Sequence, residues 1–240
     1  MKTLGILGGM GPMAGAYFYL RIVALTGATG DAGHLPVMVY GDPSVPDRTA
    51  HLTERGESPL PALRRGVMAL EAAGAEVIAM PCNTAHAYLP GLAIDCRAEF
   101  LDMPRLAVEY AVSLGAGSIG LLATPGCLRA GVYQRVAKSL GAMCLTPDAD
   151  DADRVAALIY REKAGSHVSP EEYLPYAESL FARGADLVVL GCTEISFAFS
   201  GRTYEHTLDP LELLARCAIR ACGGTLKKEA ELDLQRAVSR

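Results

Sequence analysis

Two α/β halves, each a parallel sheet flanked by helices, with an active site in the cleft between them: this is the fold class the sequence predicts. Three observations support it. Short, nearly unbroken apolar runs alternate with longer helical patterns, as expected when a parallel sheet is covered on both faces. Two sequence patterns recur in the same order in the two halves of the chain. The 240 residues, half of them hydrophobic, can fill one large core or two small ones without covalent staples.

Taken in order, Thr3–Leu7 reads as a strand that ends in the glycine loop Gly8-Gly9-Met10-Gly11-Pro12. A helix from Met13 to about Leu25 follows, then a strand at Pro36–Tyr40. Leu63, Val67 and Leu70 fall on one face of a helix over Leu60–Ala73, which Gly74 ends. Glu76–Met80 is then a buried strand. Ser118–Leu122, Met143–Leu145 and Leu187–Leu190 are later strands, and Glu172–Arg183 is the helix before the last of them. The tail Thr225–Arg240 reads as a terminal helix or a frayed end.

The recurrence carries the functional argument. Gly74-Ala-Glu-Val-Ile-Ala-Met-Pro-Cys82 parallels Gly184-Ala-Asp-Leu-Val-Val-Leu-Gly-Cys192. In both, a helix stops at Gly, an acid follows Ala, a strand runs, and a Cys closes the segment. Leu4-Gly-Ile-Leu7 likewise parallels Ile119-Gly-Leu-Leu122, and each is followed by Ala-Gly-x-Tyr, at Ala14–Tyr17 and Ala130–Tyr133. We therefore expect a first half of residues 1–100 plus about 209–240, and a second half of 101–208. Ligands bind outside the carboxyl ends of parallel strands, so two facing halves would set Cys82 and Cys192 on opposite walls of one cleft.

Composition narrows the function. A formal charge of −5 with no basic patch argues against nucleic acid. No apolar run approaches a membrane span, and the start lacks the pattern of a secretory signal, so a cytoplasmic protein is expected. Seven irregularly spaced cysteines do not form a disulfide framework, and no CxxC or HExxH offers metal-ligand spacing.

Cys82 precedes Asn83-Thr84-Ala85-His86, which opens a helix pattern whose free amides would favour an anion and lower a thiol pKa. Thr193-Glu194 follows Cys192 in the same way. Two thiols across a small anion suit removal of a proton from one face of a carbon and delivery to the other. A disulfide pair is the structural alternative. The Gly8–Pro12 loop, with Met10 at its centre, could cradle a carboxylate, though a tight turn explains it equally well. Thr124, in the counterpart loop Thr124-Pro125-Gly126, would offer a hydroxyl to the cleft. On position alone Arg48 reads as a solvated loop residue and Lys163 as a helix-end cation. His86 and Glu194 suit capping or support of the thiols.

Gly-Gly-Met-Gly-Pro, Val-Pro-Asp-Arg-Thr, Pro-Cys-Asn-Thr-Ala-His and Leu-Gly-Cys-Thr-Glu-Ile, in that order, resemble the aspartate/glutamate racemase family over residues 1 to about 222. The resemblance implies a cofactor-independent racemase of an acidic amino acid, assembled as a homodimer, with Cys82 and Cys192 as the proton donor and acceptor. It places Asn83, Thr84 and the amide of Ala85 on the α-carboxylate, with Thr124 and Thr193 nearby. It places Arg48 and Lys163 on the distal carboxylate. Related reactions on the same scaffold (maleate isomerisation, hydantoin racemisation, malonate decarboxylation) and a non-catalytic module for acidic ligands stay open here.

Overall fold

The computed structural model describes residues 1–53, 55–94, 96–200 and 204–231. In chain order its elements are β1 (Leu4–Gly8), α1 (Pro12–Leu25), β2 (Val37–Gly41), α2 (Arg48–Leu52), α3 (Leu60–Ala72), β3 (Val77–Ala79), α4 (Leu89–Ala93), β4 (Glu99–Leu101) and α5 (Met103–Ser113). There follow β5 (Ser118–Ala123), α6 (Pro125–Ala130), α7 (Val132–Ser139), β6 (Met143–Leu145), α8 (Ala149–Lys163), α9 (Leu174–Ala182), β7 (Leu187–Gly191), α10 (Thr193–Phe199), β8 (Thr207–Leu208) and α11 (Pro210–Ala221).

The strands form two four-stranded parallel sheets of identical topology, β2-β1-β3-β4 and β6-β5-β7-β8. The repeats in the sequence are thus repeats of position. β1 matches β5 at the second place in each sheet, and β3 matches β7 at the third. β1, β3, β5 and β7 are buried along their whole lengths, which is why they read as continuous apolar runs. The edge strands β4 and β8 escape sequence reading because they are three and two residues long and carry Glu99 and Thr207.

Helices α5 and α11 join the halves. Met103 from α5 and Leu211, Leu214, Ala218 and Ile219 from α11 pack with Leu4, Ile6 and Val77 of the first sheet. Ala107, Val108 and Ala111 of α5, with Leu213 of α11, pack with Ile119, Leu121 and Val189 of the second. Each fully buried Leu or Ile contributes about 1.5–3 kcal/mol, so shared helices hold the two sheets in a set relation.

Two local details shape the site. Gly9 has φ +99°, and a Cβ there would lie 2.2 Å from the Asp42 carbonyl oxygen, so the loop after β1 can close against the end of β2 only with glycine. The segment after Cys82 is a 3₁₀ turn over Thr84–Tyr88, not the start of a regular helix. Pro90 has no N–H to give the His86 carbonyl, so an α-helix begun at Thr84 cannot run on. The tail is stitched down at its start: Gly27 N–H donates to Thr225 O and Lys227 N–H to Leu25 O, both at 2.8 Å. The rest of the expected terminal element, 232–240, lies outside the described residues.

Candidate active site

Each sheet delivers one cysteine to the same place. Cys82 follows β3 and Cys192 follows β7, at the carboxyl ends of equivalent strands. Both are buried free thiols, 6 % and 5 % exposed. Both line one small cleft, together with Met10, Arg48, Asn83, Thr84, Lys163 and Thr193. Asp47, Thr49 and Glu194 complete the lining.

Arg48 is not a solvated loop residue. It opens α2, whose N-cap Asp47 accepts from Ala50 N–H at 2.7 Å. The Arg48 guanidinium is buried and donates to the carbonyls of Val45 and Pro46 at 3.2 and 3.1 Å, while its Nε has no partner. Asn83 is in the same state: its Nδ2 is buried without a partner, while its Oδ1 accepts from the Tyr133 hydroxyl. Buried donors left unpaired are costly, and two of them beside one cleft suit an anion.

Lys163 ends α8 with its ammonium 3.9 Å from Glu194 Oε1. The same carboxylate accepts from the Cys192 thiol at 2.9 Å and from Thr193 Oγ1 at 3.0 Å. Burial and the adjacent Glu194 charge push the Cys192 thiol well above its ordinary range, and Lys163 only partly offsets them. A thiol near neutrality, as the strand–Cys–helix pattern suggests, is therefore not what this environment produces for Cys192. Burial tends to lower the Lys163 pKa, but the acidic groups around it, first the Cys192 sulfur and then Glu194, raise it on balance.

The remaining expected residues stand one layer back. Ala85 is fully buried and does not line the cleft. Thr124 caps α6 by accepting from Cys127 N–H at 3.2 Å, and its hydroxyl lies 2.8 Å from that of Thr84 rather than facing the cleft. His86 braces the Cys82 segment. Its Nε2 accepts from Met103 N–H at 3.2 Å, which leaves Nδ1 to donate to Cys82 O at 2.9 Å. Burial lowers the His86 pKa and favours this neutral form. Tyr133 is the partner that motif reading missed, although the Ala-Gly-x-Tyr repeat had marked it. Among the described residues no three His, Cys, Asp or Glu side chains form a metal-ligand group. No helix among them is long and apolar enough to cross a membrane.

The family model described as Asp/Glu/Hydantoin racemase matches residues 7–218, most of the chain. The chain belongs to that family. This racemase, an isomerase by reaction class, is similar in structure to the aspartate racemase of Picrophilus torridus. The TM-score is 0.85 at 31 % identity, covering 97 % of this chain and 99 % of that one. It is 25 % identical over 201 residues to RacX of Bacillus subtilis strain 168, named a broad specificity amino-acid racemase, with 80 % of this chain and 86 % of the relative covered. It is 29 % identical over 197 residues to a glutamate racemase of Desulforudis audaxviator, spanning 80 % of this chain and 66 % of that protein.

Proposed function

We propose that this racemase interconverts the enantiomers of an acidic amino acid, aspartate or glutamate, by a cofactor-independent two-thiol mechanism. The observation that carries the reading is the placement of Cys82 and Cys192, from equivalent positions on two sheets, against one cleft that the buried Arg48 and the part-exposed Lys163 also line. One sulfur, as thiolate, takes the α-proton; the other, as thiol, gives a proton to the opposite face of the carbanion. The reverse reaction exchanges the roles, so each turnover leaves one thiolate and one thiol and consumes nothing else.

The remaining residues divide by chemistry. The unpartnered N–H of Asn83, with Thr84 and Thr193 beside it, holds the α-carboxylate, where donors also stabilise charge in the carbanion. Ala85 and Thr124 support that wall from behind. Arg48 and Lys163 meet the distal carboxylate, and Met10 closes the cleft as an apolar wall. Glu194 accepts the hydrogen bond of the Cys192 thiol, and its charge makes that sulfur the stronger base once ionised. The same reading divides the chain at residues 100 and 209 and has it act as a homodimer in the cytoplasm.

One observation favours a second reading. Lys163 already has Glu194 as its counter-ion, which leaves Arg48 as the main attraction for a distal charge. That arrangement would also tolerate neutral side chains, as the name of the Bacillus subtilis relative suggests for that protein. One panel decides: incubate the protein in D₂O with L-aspartate, L-glutamate and neutral L-amino acids, then follow α-deuterium uptake and D-isomer formation. Exchange with the acidic pair supports the first reading, and exchange across the panel the second. No exchange with aspartate or glutamate refutes the first.

A further inference from the structure

The repeated Ala-Gly-x-Tyr motif plays no part in proton transfer, yet each copy reaches into the opposite half. Tyr17, on α1, has its hydroxyl 2.5 Å from Ser200 Oγ, at the end of the helix that begins after Cys192. Tyr133, on α7, bonds to Asn83, the residue after Cys82. The two tyrosines thus form a pair of struts related by the same pseudo-symmetry as the cysteines.

Their surroundings differ in a way that matters. The Tyr17 bond is exposed and touches no residue of the cleft lining. Tyr133 is fully buried, and its partner lines the cleft. An asparagine amide can present either its oxygen or its NH₂ to a neighbour. The Tyr133 phenol gives its hydrogen to the Asn83 oxygen, and burial keeps it protonated by raising its pKa well above the ordinary value; leaving that buried donor unpaired would be costly. Turning the amide over would strand that hydrogen and face an oxygen into a cleft meant for anions. With the amide held as it is, Nδ2 is left buried and unpartnered.

We infer that Tyr133 is a positioning residue that locks the Asn83 amide with its NH₂ toward the cleft, ready for the substrate α-carboxylate. The inference rests on reading the cleft as an amino-acid site.

Tyr133→Phe removes one oxygen and keeps the ring. Two readouts separate its role from general stability: KM for the racemised amino acid, and the calorimetric Kd of α-methylaspartate, which has no α-hydrogen and cannot turn over. Each is expected to rise about tenfold, the scale of one charge-assisted hydrogen bond, with kcat little changed. In an Asn83→Ala background the same change should add nothing further. Tyr17→Phe should lower the thermal midpoint and leave Kd alone. Asn83→Asp keeps the acceptor for Tyr133 but turns an anionic oxygen to the cleft; it should fold and lose α-methylaspartate binding, and it serves if Tyr133→Phe does not fold.

A wild-type Kd in Tyr133→Phe, an equal loss with and without Asn83, or wild-type binding by Asn83→Asp overturns the positioning role. If the wild type binds α-methylaspartate but exchanges no α-hydrogen, the proposed reaction fails while the Kd comparison still decides the strut. A wild type that does neither overturns both.

Discussion

Replacing Glu194 with Gln removes a negative charge 2.9 Å from the Cys192 sulfur and keeps the side chain's shape. Both residues are buried. At an effective dielectric of about 20, two unit charges at that separation repel by roughly 6 kcal/mol. Lys163, no longer shared with a carboxylate, would then act on the thiolate alone, in the same direction. Solvent reaching the open cleft reduces both effects without changing their sign, so the thiol pKa is expected to fall. The assay is the pH dependence of iodoacetamide alkylation at Cys192, followed by mass spectrometry in a Cys82→Ala background. The alkylation midpoint should drop, and racemisation should slow in the direction that needs Cys192 as a strong base. A midpoint that stays in place or rises would refute the reasoning, because desolvation alone would then hold the thiol protonated.

Four further outcomes are expected. Cys82→Ala and Cys192→Ala should each abolish racemisation, with α-deuterium exchange from one enantiomer surviving in each; chiral chromatography and NMR in D₂O check this, and normal turnover by either variant contradicts the pairing. Arg48→Ala should raise KM for a dicarboxylic amino acid by about tenfold or more while a neutral amino acid, if turned over, is affected less. Gly126→Ala places a Cβ 2.7 Å from the Thr49 backbone, where α6 meets α2. It should cost about 1–3 kcal/mol in chemical denaturation and weaken substrate binding by displacing the neighbouring Arg48. Burial raises the Asp209 carboxyl from 3.8 to about 6, so the native state holds this proton more tightly than the unfolded chain. Its contribution to stability is therefore full below about pH 4 and falls as pH rises through about 6, by about 3 kcal/mol in all. Asp209→Asn, which retains capping ability, should flatten urea-denaturation stability across that window.

Much of the fold was legible because the central strands are buried on both faces. β1, β3, β5 and β7 have no polar alternation to obscure them, and β3 and β7 lead to the two cysteines that the repeat marks. The edges were not legible: β4 and β8 exist because a neighbouring strand offers hydrogen bonds, a property of the sheet and not of residues 99–101 or 207–208. The segment after Cys82 opens like a helix in sequence but forms a 3₁₀ turn, because Pro90 cannot donate to the His86 carbonyl.

The two-half architecture and the choice of Cys82 and Cys192 from seven cysteines are legible in the chain alone, because duplicated strands place duplicated residues at equivalent ends. The motifs nominated Arg48, Lys163 and Asn83 by resemblance. Tertiary structure alone decided their condition. It buried Arg48 beneath its own loop, tied Lys163 and the Cys192 thiol to Glu194, and withdrew Thr124 into a helix cap. It also set Tyr133 against Asn83 across 50 residues of chain. The physical reason is range. Apolar periodicity is a local property that a sequence displays, whereas burial, charge coupling and the orientation of an amide depend on groups brought together only when the two sheets close on one cleft.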